Sequence, residues 1–315
     1  ISIDAWRIEA VEVDLQGAMA ATYQMGYRLG MIVAGAGALY IAEFQSWSWA
    51  YTAMATAMVV GVVTTLLIAE PTRRIDQAVW QEEARVVAFL ERSAHLPRRI
   101  RQVAAWFIGA IVCPFTEFFA RNGRIALGIL AFICVFRISD ITMGVMANPF
   151  YIDMGYSKAD IASVTKVFGL IMTMVGAAMG GVLVARYGVM RLLLVSAIMV
   201  ALTNLVFAWL ATQNADLMLL ALVVSADNLS GGVAGSVFIA YLSGLTNRAY
   251  TATQYALFSS LMLLPAKFLG GFSGNVVDGF GYPAFFLYAA ALGLPAVLLV
   301  LYLMGRPQTR VVAAP

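Results

Sequence analysis

Six ionisable residues, Arg28, Arg137, Asp140, Lys166, Asp227 and Lys267, stand inside stretches that are otherwise almost wholly apolar. On insertion scales a charge near a bilayer centre costs about 2.5–3.5 kcal/mol, so each must face a partner or water. Arg137 and Asp140 are three residues apart on one helical face, close enough to pair. At a rise of about 1.5 Å per residue, Asp140 and Lys166 both lie about 10 Å from the outer ends of successive helices and could also pair. Asp227 and Lys267 sit nearer mid-membrane at matching depths, and Arg28 has no acidic partner in its own run. Carboxylates in such a place can bind and release a proton, while the cations can attract substrate carboxylates. Taken singly, each charge fits an internal salt bridge as well as a functional role. The set, with both signs present, favours a shared polar cavity.

The elements that must carry these charges are eight apolar runs, at about 18–42, 49–69, 124–147, 159–184, 190–211, 217–243, 251–276 and 282–304. Each reaches the roughly 20 residues that cross a hydrocarbon core as a helix. Basic residues alternate between them. Arg73, Arg74, Arg85, Arg92, Arg98, Arg99, Arg101, Arg121 and Arg124 follow the second run, Arg186 and Arg191 the fourth, Arg248 the sixth, and Arg306 and Arg310 the eighth. The intervening loops at 43–48, 148–158, 212–216 and 277–281 hold one basic residue, Lys158. The positive-inside rule then places the Arg-bearing side, and the C-terminus with it, in the cytoplasm. The fold class is all-α, a polytopic membrane bundle.

Composition agrees. Mean hydropathy is +0.84, 62% of residues are hydrophobic and only 12% are charged, outside the range of soluble globular domains. The net charge of +3 reflects the cytoplasmic arginines, which set topology beside anionic lipid and do not form a nucleic-acid footprint. Cys113 and Cys134 read as reduced thiols. With a lone His95 and no thiol cluster there is no metal site, and no cofactor is implied. Residues 1–14 have neither the basic n-region nor the apolar core of a signal peptide, and read as the end of an earlier membrane helix.

Residues 70–123 form the longest interruption. Their first part has helical charge spacing in Glu82, Glu83, Arg85, Glu91 and Arg92. Their second part runs from Arg98, Arg99 and Arg101 into eleven apolar residues and then Pro114, too short to span, so a helix in the inner-leaflet interface is expected. Two spans before this segment and six after it suggest the parallel-repeat plan of a twelve-helix transporter with about four helices upstream of Ile1. The divisions are 1–69, the end of an N-terminal half-bundle; 70–123, a cytoplasmic linker with interfacial amphipathic helices; and 124–315, a C-terminal six-helix half-bundle with a short cytoplasmic tail. Gly26/Gly30, Gly176/Gly180, Gly231/Gly235 and Gly270/Gly274 recur at four-residue spacing and read as close helix contacts. Phe44, Trp47, Trp49 and Tyr51 read as an interfacial belt, and Trp6 and Tyr27 as core residues that could alternatively stack on sugar rings.

Several stretches resemble the AmpG muropeptide permeases of the major facilitator superfamily: IDAWRIE at 3–9, GYRLGM at 26–31, NLSGGV at 228–233, TATQYALFSSL at 251–261 and LLPAKFLGGFSG at 263–274. Their order and spacing agree over the whole chain, about the last two thirds of the twelve-helix core, with residues 1–10 at the end of the fourth helix. GGVLVARYGVMR at 180–191 resembles the superfamily's inter-helix loop, with Ala185 where an Asp is usual, which puts its gating salt bridge in doubt.

The resemblance implies proton-driven import of GlcNAc–anhydroMurNAc-peptides across the bacterial inner membrane by alternating access, as a symporter in cell-wall recycling. On the transporter reading of the buried charges, Asp140 and Asp227 are the proton-coupling candidates. Asp4, Arg28, Arg137, Lys166 and Lys267 are the substrate-binding candidates. The partners implied are the amino-sugar peptide, protons and lipid, with no nucleic acid, and the carrier reads as a monomer. The alternatives are a related carrier for acetyl-CoA or another anionic metabolite, and a polytopic membrane enzyme. An enzyme is disfavoured because His95 stands alone and the carboxylates are dispersed.

Overall fold

The computed structural model describes residues 2–12, 15–69, 77–93, 97–247 and 250–306, and these are helical throughout, with no strand among them. Helix α1 (Ser2–Ala10) leads to α2 (Gln16–Ile32), which passes through a π-helical turn at Val33–Gly37 into α3 (Ala38–Phe44). Ser46 caps α4 (Trp47–Leu67) by accepting from the Trp49 amide. This helix is apolar on all sides and almost entirely exposed, as a helix bathed in lipid would be. Then come α5 (Gln77–Arg92), α6 (Arg98–Phe107), a second π-helical turn (Ile108–Val112) and α7 (Cys113–Asn122). His95, Arg73, Arg74, Arg248 and Arg310 lie outside the described residues, as does the side chain of Arg85.

Pro114 does not end the helix as expected. It sits in the first turn of α7, just after the widened π turn, where a missing N–H and a bulky ring are tolerated, and the helical path runs for 25 residues from Arg98 to Asn122. Gly123, at φ +54°, makes the sharp turn into the next helix.

The second part of the chain begins with α8 (Ile125–Phe136) and α9 (Ile138–Asp153), joined end to end at Arg137, and the short α10 (Lys158–Ile161). A third π-helical segment (Ala162–Phe168) feeds α11 (Gly169–Tyr187), followed by α12 (Val189–Leu210) and α13 (Leu217–Leu245), the latter capped by Asp216. The chain continues through α14 (Thr251–Gly270), α15 (Ser273–Ala291) and α16 (Leu294–Met304). Helix α15 kinks at Gly281, where φ is +77°. Seven helices among the described residues are long and apolar enough to cross a membrane. Six fall on the expected runs and the seventh is Arg98–Asn122. The run at 18–42 is a bent path through the π turn, and the run at 251–276 ends its helix at Gly270.

Close approach fixes α11 against α13. A Cβ on Gly176 would lie 2.2 Å from the Leu229 carbonyl oxygen, and one on Gly232 would lie 2.3 Å from that of Thr173. The glycine pairs therefore divide. Gly176 and Gly180 are contact residues, but Gly26, Gly30, Gly231 and Gly274 have open space where a Cβ would go, and the α13 contact falls one residue later, on Gly232. A one-residue step turns a helix by about 100°, so spacing alone could not choose the face.

Contacts also order the ends. Gly17 meets Val184, Gly128 meets Tyr302 and Leu303, and Trp6 Nε1 donates to the Ala69 carbonyl at 3.2 Å. The ends of α1, α4, α11, α13 and α16 and the starts of α2, α8, α12 and α14 thus share one face of the bundle, the Arg-rich end. Two aromatic clusters fill the interior. Phe132, Phe136, Phe238 and Tyr241 pack toward the Arg-rich end, with Phe136 stacked on Phe238 at 4.4 Å. Phe150, Phe207, Phe285 and Phe286 pack toward the other.

Candidate functional site

Between the two aromatic clusters runs a polar layer, because the same level of several helices carries a polar residue: Arg137, Ser139, Asp140 and Thr142 on α8–α9, Thr203 and Asn204 on α12, and Asp227 and Asn228 on α13. Two helix breaks meet there. At Arg137 the backbone turns to φ −96°, ψ 0°, ending α8 and starting α9. At Leu292–Gly293 the α15–α16 pair breaks likewise. Broken helices at membrane depth free backbone groups, which must find partners or line a cavity. Here the Ser139 hydroxyl donates to the Ala289 carbonyl at 2.7 Å and accepts from Asn204 Nδ2 at 2.8 Å. Asn204 is fully buried, and its Oδ1 has no partner among the described residues. A cavity of about 10 Å³, room for one water, lies beside these groups against Arg137, Asp140 and Gly293.

Arg137 and Asp140 form an ion pair at 2.5 Å with both side chains about three-quarters buried. Twelve residues into its span, Arg137 lies about 18 Å from the Arg-rich end, near mid-membrane. Asp227, half-buried, accepts from the Thr203 hydroxyl at 3.2 Å and feels the charges of Asp140 and Arg137. Three of the expected residues therefore converge. Gly235 of α13 leaves the room in which Gln24 of α2 approaches them: a Cβ there would lie 2.9 Å from Gln24 Nε2 and 3.8 Å from an Arg137 terminal nitrogen. The first part of the chain thus reaches the polar layer of the second.

The remaining expected residues lie elsewhere. Arg28 is on α2 beyond the packed first turns, half-buried, with its Nε sequestered and unpartnered among the described residues. Around it Tyr27, Leu29 and Met31 are exposed, as α2 leaves α11 and α13 toward the other end. Tyr27 is therefore not a core residue. Lys267 is exposed on α14, and no described residue pairs with it, so the expected match with Asp227 is not formed. Lys166 lies in the π-helical segment with its side chain outside the described residues, and the expected Asp140–Lys166 pair falls there too.

Asp4 belongs to a separate cluster at the Arg-rich end, built on a residue the sequence reading passed over, Arg7. Only 2% exposed, Arg7 lies 3.8 Å from the Asp4 carboxylate and donates to the Ser243 hydroxyl at 2.9 Å and to Gln16 Oε1 at 3.4 Å. Its guanidinium also faces the rings of Tyr23 and Tyr255 at 5.6 and 5.9 Å. One side chain thus ties α1 and α2 to α13 and α14. The signal available was the i,i+3 spacing of Asp4 and Arg7 within DAWR. Nearby, Glu117 of α7 accepts from Asn247 at 2.9 Å and Gln254 at 2.6 Å, and Arg121 donates to the Leu245 carbonyl at 2.6 Å.

The model of the Major Facilitator Superfamily matches residues 2–270. The chain is 32% identical over 303 residues to the AmpG 4 protein of Rickettsia conorii, covering 96% of this chain and 68% of that one. It is 31% identical over 303 residues to the anhydromuropeptide permease of Escherichia coli K12, covering 96% of this chain and 56% of that permease.

Proposed function

Because this chain belongs to the Major Facilitator Superfamily, and so is a membrane transporter and not an enzyme, we propose that its cargo is an anhydro-muropeptide. It carries GlcNAc–anhydroMurNAc-peptides inward across the bacterial inner membrane, driven by protons, with its Arg-rich end and C-terminus in the cytoplasm. The observation that carries this reading is the meeting of Arg137, Asp140 and Asp227 beside two broken helices at mid-depth.

A cargo bearing peptide carboxylates and sugar hydroxyls needs cations and hydrogen-bonding groups in one water-accessible place, and the polar layer offers both. In this mechanism Asp140 releases Arg137 when it takes up a proton, and the freed guanidinium engages a cargo carboxylate. Arg28 and Lys267 act as further cationic contacts along the approach. Alternating access follows from rocking two helical units about this layer. The packing of α2 on α11 near Gly17 and Gly181, with α2 exposed further along, supports a state closed at the Arg-rich end.

The reading is tested by uptake of labelled GlcNAc–anhydroMurNAc-tripeptide into energised vesicles containing the full-length transporter. Accumulation should collapse with a protonophore and be competed by unlabelled muropeptide but not by acetyl-CoA. Competition by the thioester alone would assign the carrier to anionic metabolites instead.

A further inference from the structure

The helix from Arg98 to Asn122 is long and apolar enough to cross a membrane, yet its surroundings forbid a crossing. Its C-terminal part is fastened at the Arg-rich end through Glu117 and Arg121. Helix α4 finishes at that same end, where Ala69 meets Trp6. If Arg98–Asn122 spanned, Arg98 would stand at the opposite face, and residues 70–97 would have to cross as well. That segment holds Glu70, Arg73, Arg74, Asp76, Glu82, Glu83, Arg85, Glu91 and Arg92, and its insertion would cost several kcal/mol per charge at depth. The helix therefore lies along the Arg-rich face, and Arg98, 19 residues before Glu117, is carried about 28 Å sideways.

Its two faces differ. Ile100, Val103, Ala104, Phe107 and Ile108 follow an i, i+3, i+4, i+7, i+8 stripe and line an open, wholly apolar groove of about 520 Å³, with Arg99 at its edge. Arg99 and Arg101 flank that stripe, each about 100° from Ile100, and Trp106 flanks it on the Arg99 side. Arg98 and Arg99 are exposed, Arg101 is half-buried with its Nε sequestered and unpartnered, and no acidic group among the described residues pairs with any of the three. Arg99 and Arg101 beside an apolar groove, with Arg98 on the same turn, match a phosphate headgroup above an acyl chain.

We propose that this helix lies in the plane of the cytoplasmic leaflet and is a binding site for an anionic glycerophospholipid, with the headgroup phosphate held by Arg98, Arg99 and Arg101 and an acyl chain along Ile100, Val103 and Phe107. The site is independent of the cargo and of Arg137, Asp140 and Asp227.

The test uses the full-length transporter in nanodiscs containing brominated phosphatidylglycerol or brominated phosphatidylcholine, which quench tryptophans that touch acyl chains. The Trp106 contribution is taken as the difference from Trp106→Phe. Phosphatidylglycerol should quench it at a lower mole fraction, by about fivefold for each arginine engaged. The preference should disappear in Arg98→Gln/Arg99→Gln/Arg101→Gln, persist in the corresponding triple lysine variant, and fade as salt is raised. Should the glutamine variant fail to reconstitute, the salt titration of the unmodified protein decides. Equal quenching by the two lipids, quenching by neither, or a preference untouched by salt overturns the proposal.

Discussion

Arg7, on the first helix of the chain, donates a 2.9 Å hydrogen bond to Ser243, on the last turn of α13, across 236 residues of sequence. The bond joins helices from either side of the long central segment at the Arg-rich end. Removing one member of a buried charged set leaves the other uncompensated, at a cost of about 3–5 kcal/mol. Arg7→Ala should therefore lower the melting temperature in detergent steeply and speed maleimide labelling of a cysteine placed at Ala21, which packs against Gly181. Arg7→Lys should recover little, since an ammonium cannot fork between Gln16 and Ser243 as a guanidinium does. Unchanged labelling in Arg7→Ala would remove the inter-helix tie as the element that shuts this end.

Helix approach gives a paired prediction. Gly232→Ala forces a methyl group to 2.3 Å from the Thr173 carbonyl oxygen, a backbone atom that cannot move alone, whereas a methyl on Gly26 meets nothing within 4 Å. The first should cost about 1–3 kcal/mol by overpacking, and the second should be near neutral. Thermal unfolding of the two variants in the same detergent measures the difference.

Much of this architecture was legible in the chain. Apolar runs and alternating arginines are one-dimensional signals of spans and sides, and the Arg137–Asp140 pair follows from i,i+3 spacing. Partner choice between helices was not legible. Asp227 bonds to Thr203, within electrostatic range of Asp140 and Arg137, and does not pair with Lys267, because equal depth says nothing about which faces of α13 and α14 turn toward one another. Arg7 was missed because it lies in a stretch too short to show apolar periodicity, though it heads the largest fully enclosed side chains among the described residues. The extended Arg98–Asn122 helix was hidden by Pro114, whose breaking power a π-helical turn absorbs.

The second helix break rests on Ser139, whose hydroxyl serves the Ala289 carbonyl while holding Asn204. Ser139→Ala would strand a buried carbonyl and the Asn204 amide nitrogen, beside an amide oxygen that already has no partner among the described residues. The expected loss is about 1–3 kcal/mol, with Ser139→Thr recovering part of it. Asn204→Leu in the Ser139→Ala background should cost less than the sum of the single changes, because the orphaned amide goes with it. Additive losses across this cycle would show that the two side chains do not act as a unit.

Asp140 and Asp227 can be assigned distinct tasks by separating coupling from binding. Asp140→Asn keeps the side-chain shape but gives up the anion that holds Arg137, and an amide cannot cycle a proton at physiological pH. Accumulation against a gradient should fall at least tenfold. Exchange of labelled for unlabelled muropeptide, which needs no net proton movement, should persist with its pH dependence flattened. Asp227 holds its place through Thr203 and has no ion-pair partner of its own among the described residues, so Asp227→Asn keeps its hydrogen bond and should weaken accumulation less. Thr203→Val makes the complementary change, keeping the carboxylate and stripping it of its donor, so it reports on the hydrogen bond apart from the charge. If exchange and accumulation fall together in Asp140→Asn, the residue holds the cargo or Arg137 in place and does not couple protons. If Asp227→Asn alone abolishes accumulation while sparing exchange, coupling belongs to Asp227, and the Arg137–Asp140 pair is the structural hinge of the broken helix.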